Sequence, residues 1–386
     1  MQQLTAPPRD AYTADQITRL ITAADISVQQ GLDLLDLNDL FVQDLSPYLQ
    51  GGTVSRDCYA TVHGSCSLSL TKQLNWGADR VLPWMILTSP HVPGVAARFN
   101  QGVFIATSPD HPYGDSDPLY AVTGYDKLYL LDQPVGDSVM FGAGNSVLST
   151  VATLIQTYAF TTKITLDGTS SGATLAADMI WPLDQANPVT YLNVINALLA
   201  TINYRGLWVD QDGYFRSEPY IDPGSQSPEW LLNVQDPKTN LVNQDRTQSQ
   251  DTWGIPNWWR FIQNGLDVAP VEGTGQYTYV NTSVGPTSYG NRGYYVKKLE
   301  FLDAVDQANL QAQATATINA DMNVSETWQF NTGPLPLAGH FDIATYLDTD
   351  IDGGLTNRQL MGMNWDMPLD GGDMLWTFKT VAVLSA

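Results

Sequence analysis

Three stretches of the chain carry residue types that could do chemistry. Gly168-Thr169-Ser170-Ser171-Gly172 has the G-x-S-x-G spacing of a hydrolase nucleophile elbow. There a serine sits on a tight strand-to-helix turn and a histidine takes its proton. Only the short run KITL precedes it, and the one downstream histidine, His340, stands beside Gly339 in a strand-start turn. We read 168–172 as a Ser/Gly loop and assign no catalytic residue. Asp348, Asp350, Asp352 and Gly353 match the start of a calcium loop, whose carboxylates supply hard oxygen ligands. Gln359 stands where such a loop needs a bidentate glutamate, and the flanks have β rather than helical pattern. Two readings stand: an acidic hairpin tip, or a weak Ca²⁺ site of three carboxylates. Trp253, Trp258 and Trp259 gather around Pro256. Exposed, they would stack on sugar rings or a partner; buried, they would fill a β wall or a subunit interface.

The other reactive types are scattered. His63, His91 and His111 each sit beside Gly or Pro in a turn pattern and share no metal-ligand spacing. Cys58 and Cys66 flank His63-Gly64, the turn of a β-hairpin, without zinc or redox spacing, and read as small buried thiols. No cofactor is implied.

Charge excludes more than the motifs suggest. Forty Asp and Glu against eighteen Lys and Arg leave a net charge of −22. Such a surface repels phosphate, which argues against a sequence-reading nucleic-acid binder and against anionic membranes. The N-terminus lacks a basic-then-apolar leader, and no apolar run is long enough to span a bilayer, so folding in the cytoplasm is expected.

The elements that must position these residues are mostly strands. A flexible arm of about a dozen residues precedes a short helix (13–23), then alternating apolar residues run through 56–131. Next, NSVLSTVATLIQTYAF predicts an amphipathic helix capped by Asn145 or Ser146, with Val147, Val151, Leu154, Ile155 and Tyr158 as its stripe. A second helix is predicted with Asn187 as N-cap and Pro188 in its first turn, burying Tyr191, Val194, Ile195, Leu198 and Leu199. A hairpin around Gln211-Asp212-Gly213 follows. Later, an Ala-rich helix is predicted over 305–320, with Asp303 as N-cap and Asp306 completing a near-capping box.

The string DMPLDGGDMLWTF (366–378) echoes DHPYGDSDPLYAV (110–122). Without gaps, Asp366 falls on Asp110, Pro368 on Pro112, Asp373 on Asp117 and Trp376 on Tyr120, each an Asp/Pro/Gly corner feeding a half-buried strand. The expected fold is therefore α+β and β-dominated. Two related small β-barrel domains (1–134; 223–266 with 325–386) carry two α/β modules (135–222; 267–324), the second inserted in the second barrel.

This order resembles the tail-hub proteins of long-tailed bacteriophages, which include baseplate hubs and the N-terminal part of tail-associated lysins. At motif level it is most similar to minor tail proteins of phages of actinobacteria. The stretches carrying the likeness are 190–220 (TYLNVINALLATINYRGLWVDQDGYFRSEPY), 80–105 and 339–369, where Gly339 and Asp342 occupy a strand start. The resemblance implies a structural virion protein at the tail tip, without enzymatic activity, assembled in the host cytoplasm. It implies a homotrimer whose doubled β-domain forms a pseudo-six-fold ring. Its partners would be the tail tube or distal tail ring, the tape-measure C-terminus and other tip or fibre proteins, with phage DNA only in transit. Because the chain ends after the second barrel, the hub alone is expected, without a lysin extension. Two other classes remain open: a carbohydrate- or receptor-binding β-protein of the tail tip, and an acidic cell-wall hydrolase.

Overall fold

A computed structural model of the chain describes residues 10–23, 25–107, 119–184, 188–234, 242–249, 253–264, 269–323, 327–348 and 356–381, with Pro8 and Pro109. The expected N-terminal arm lies largely outside the described residues, as do His111 and the first-corner residues Asp110, Pro112 and Asp117. β structure dominates. One sheet of fourteen strands draws on both ends of the sequence, and sheets of three, two and four strands accompany it.

The large sheet corrects the expectation of two closed barrels. It is open, with Val242–Ser249 at one end of its path and Phe41–Asp44 at the other. The join between its halves is the strand Thr356–Pro368. Residues 356–361 pair with Ile343–Asp348, and residues 364–368 pair with Leu49–Asp57, placing Trp365 opposite Arg56. A register shift at Gly362–Asn364 against Met374–Thr380 turns the strand between these partners. Alternation reveals which face a residue takes, but not which edge its strand will pair with.

The first corner lies outside the described residues up to Pro118; the strand that follows it and the second corner are described. Tyr120 opens the strand Tyr120–Asp126, which pairs with Phe104–Ala106 and Gly64–Leu70. In the second copy Asp366 and Pro368 end one strand, Asp370 Oδ1 accepts the Gly372 N–H in the turn, and Trp376 lies in the returning strand. Asp373 falls between turn and strand.

Three main apolar clusters organise the described residues. The first spans both halves of the large sheet, from Ile17 and Leu20 of the helix Ala14–Ile21 to a stack of Phe330, Phe378 and Trp376. The second packs the helices Val147–Tyr158 and Tyr191–Thr201 over short strands that include Phe215. Val147, Val151 and Ile155 are buried as read from the sequence, whereas Tyr158 lies at the surface, stacked on Tyr191. The third sets Trp259 and Phe261 against Leu310, Ala314, Ile318 and Met322 of the helix Gln307–Asn323.

Two helix starts differ from expectation. The second module helix begins at Tyr191 and is capped by Thr190, whose hydroxyl accepts the Asn193 N–H while Asn193 Oδ1 accepts the Thr190 N–H. The expected cap, Asn187, lies outside the described residues, and the backbone at Thr190 forms a bridge with Pro134. In the Ala-rich helix Asp306, not Asp303, accepts the Asn309 N–H, so the helix starts at Gln307.

Candidate functional site

The most heavily built polar feature lies where the large sheet meets the second core. Asp39 sits in the turn between Ser27–Leu35 and Phe41–Asp44 with φ of 59°, and its side chain is buried. Arg80, from a neighbouring strand, donates to Asp39 Oδ1 at 2.6 Å. Lys127, in the 3-10 turn Lys127–Leu130, donates to Asp39 Oδ2 at 2.6 Å and to the Gly213 carbonyl at 2.8 Å. Lys163 approaches the same carboxylate at 3.5 Å. Burial would raise the Asp39 carboxyl, but Lys127 and Arg80 outweigh it and hold it below the usual range. Burial also lowers Lys127, and Asp39 restores only part of that loss.

Beside this node an open cleft of about 500 Å³ is lined by Asp33, Phe41, Arg98, Lys163, Asp212 and Tyr214, among others. Asp33 accepts from Arg98 at 2.6 Å and from the Trp84 indole at 2.9 Å, and Asp212 accepts from Asn100 at 2.7 Å. Asp33 and Asp212 each already accept from a neighbouring donor, so these bonds cross-brace the cleft wall.

A second cluster joins histidines that the sequence presented separately. The His63 and His340 rings lie 5.2 Å apart between centroids, with Trp208 6.3 Å from His340. His63 Nδ1 and His340 Nε2 are buried without hydrogen-bond partners. Burial, reinforced by Arg56, pushes His63 down to about 4, and burial with His63 drives His340 well below its ordinary value. Arg56 is itself buried against Asp126 at 3.3 Å. Burial raises the Asp126 carboxyl to about 6 although Arg56 opposes it. Two neutral imidazoles could ligate a metal, but no group of three His, Cys, Asp or Glu forms one site among the described residues.

The other flagged residues fall apart in space. Residues 168–172 form successive turns, where the Ser170 N–H donates to the Tyr204 hydroxyl at 3.0 Å, and no helix follows directly. His340 is engaged with His63 and Trp208 rather than with that loop. Asp348 is buried and taken by Arg246 at 2.6 Å and the Tyr346 hydroxyl at 2.8 Å; Asp350 and Asp352 lie outside the described residues. The tryptophans divide: Trp253 is 85% exposed, Trp258 lies on the outer side of the four-stranded sheet, and Trp259 is buried with its indole on Asp321 at 2.8 Å. His91 meets Asp25 at the surface at 3.1 Å. Cys58 and Cys66 are free and buried, their thiols pushed up to about 12 by burial. The Asp39 node was missed in the sequence. Its one local signal was an Asp between Asn and Leu in a turn, while its cations lie 41 and 88 positions away.

No protein-family model matches the chain, and no curated protein matches it. Solved structures do. A tail protein from Neisseria meningitidis MC58 is 12% identical and superposes with a TM-score of 0.63 over 91% of this chain and 96% of its own. The chain shares its fold with bacteriophage tail proteins. The 43 kDa tail protein of prophage MuSo2 from Shewanella oneidensis matches at 11% identity and TM-score 0.60, over 92% of this chain and 98% of that one. The prophage tail protein gp18 from Listeria monocytogenes EGD-e gives 9% and 0.54, over 90% and 94%.

Proposed function

We propose that the chain is a structural protein of a phage-type tail. In this reading it acts as a hub at the tail tip within the virion and has no enzymatic role. The observation that carries the reading is the shared fold across nearly the full length of both chains. The finer reading is a homotrimer in which the two halves of each β layer give six quasi-equivalent segments, matching a six-fold tail tube to a three-fold tip. Its division would be that of the sequence: two β-domains, 1–134 and 223–266 with 325–386, and modules 135–222 and 267–324. The partners would be the tube or distal tail ring, the tape-measure C-terminus and tip or fibre proteins. DNA would pass in transit along a wall kept slippery by a net charge of −22 per chain. Gold-labelled antibody against the chain should decorate one end of the tail on intact particles. Label on the capsid, or on none of the particle, overturns the role. A channel richer in Lys and Arg than in Asp and Glu overturns the conduit argument alone.

The 85% exposure of Trp253 favours one second reading, a sugar-stacking surface at the tip. Cell-wall oligosaccharide that quenches tryptophan fluorescence in the wild type but not in Trp253→Ala would support it.

A further inference from the structure

The four-stranded sheet covers only one of its faces. Helix Gln307–Asn323 packs on the side that carries Trp259 and Phe261. On the other side the register aligns Trp258 with Lys297, Arg260 with Leu299 and Ile262 with Phe301. Leu299 and Phe301 are each 57% exposed. Arg260 and Lys297 both lie over the Trp258 ring, at 4.8 and 5.2 Å from its centroid, and neither has a carboxylate within salt-bridge distance among the described residues. Arg260 Nε is buried without a hydrogen-bond partner. In a chain of −22 this is an apolar face bearing two cations that lie over an aromatic ring, Arg260 with Glu272 in electrostatic reach but outside ion-pair distance.

A complementary surface lies on the same chain. Where the large sheet ends, the turn and edge strand present Leu37, Leu40, Phe41 and Val42, all more than half exposed. Asp36 and Asp44 flank them. Each of these carboxylates accepts local backbone N–H bonds, Asp36 from Asn38 and Leu40 and Asp44 from Ser46; Arg98 acts on Asp44 from a distance, whereas Asp36 has no basic group near it among the described residues. Apolar side chains with acids on one surface fit apolar side chains with cations on the other. Isolated apolar residues are ordinary at a surface, but four together on an open edge mark a contact site.

We propose that the 37–42 hairpin of one copy docks on the outer Trp258–Phe301 face of a second copy, a head-to-tail contact that supplies the joint of the ring proposed above. Such a contact is heterologous, so it repeats from copy to copy, closing a ring where its rotation allows, instead of stopping at a two-fold dimer. Docking brings Asp36 and Asp44 toward Arg260 and Lys297, which offsets the desolvation that an uncompensated cation would cost there.

The test uses two full-length variants, Leu40→Lys and Phe301→Lys, followed by sedimentation and light scattering. Both positions are exposed, so each variant should keep the wild-type melting profile, which separates lost docking from lost folding. Each alone should associate about ten-fold or more weakly than wild type, the scale of a central interface residue. Mixed together, the intact face of Leu40→Lys meets the intact hairpin of Phe301→Lys, so the mixture should form two-copy complexes that do not grow. Variants that assemble like the wild type overturn this contact and leave the ring standing on another. A wild type that stays monomeric at every concentration overturns both the contact and the self-assembled ring. A mixture that remains monomeric while wild type assembles rules out the head-to-tail arrangement.

Discussion

Lys127 Nζ and Asp39 Oδ2 meet at 2.6 Å with both side chains buried, 88 positions apart in sequence. The pair ties the 3-10 turn Lys127–Leu130 to the turn at the edge of the large sheet. Asp39→Asn keeps a residue that tolerates the positive φ while removing the charge, leaving Lys127 and Arg80 buried beside a neutral amide. Loss of about 3–5 kcal/mol is expected, because an uncompensated buried charge costs more than the pair contributes. Urea unfolding of Asp39→Asn, Lys127→Met and the double variant should show the double variant less destabilised than the sum of the two. Strict additivity would mean that the pair is not coupled.

His63 makes stability depend on pH. Its ordinary value of 6.5 falls to about 4 in the fold, through burial and then Arg56. Between those values the unfolded chain takes up a proton that the folded one does not, so this contribution is lost as pH drops from about 6.5 to about 4. The size at pH 4 is at most about 3 kcal/mol. Asp126, raised to about 6, and Glu229, raised to about 7, both first by burial, act in the opposite sense because the folded state holds their protons. The informative quantity is therefore the difference between wild type and His63→Asn. Denaturation midpoints at pH 7 and pH 4.5 should spread further in the wild type; equal spreads would show that His63 titrates normally.

Gly31 faces Trp84 directly across the strand pair, and a Cβ at Gly31 would lie 2.0 Å from the indole ring. That ring cannot easily retreat, since its N–H is held by Asp33 at 2.9 Å and Arg98 covers its face at 4.7 Å. Gly31→Ala should destabilise by about 3 kcal/mol through overpacking. Gly51→Ala, where an added Cβ meets nothing within 4 Å, serves as the control in thermal melts.

Burial, which raises the Cys58 and Cys66 thiols to about 12, leaves little thiolate at neutral pH. A chromogenic disulfide reagent should therefore react slowly with the folded protein and count two thiols after denaturation without reductant. Fast reaction in the native state would contradict the burial, and a count of zero would contradict folding in a reducing compartment.

The sequence by itself determined what depends on near neighbours. The stripe of Val147, Val151 and Ile155, the stripe of Val194, Ile195, Leu198 and Leu199, the Gly213 turn and the hairpin between Cys58 and Cys66 were all legible. Each follows from a period of 3.6 or 2, or from turn chemistry within a few residues. Tertiary structure decided the rest. The pairing of residues 364–368 with 53–57, which made two expected barrels into one open sheet, is a choice among many edges of similar pattern. The tryptophans read from the sequence as one cluster were divided by the helix Gln307–Asn323, which buried Trp259 and left Trp258 on the other face. The meeting of Asp39 with Arg80 and Lys127, and of His63 with His340, had no trace in spacing. Such contacts form because burying a charge or an imidazole is costly without the right neighbours, and those neighbours arrive only when the chain closes on itself.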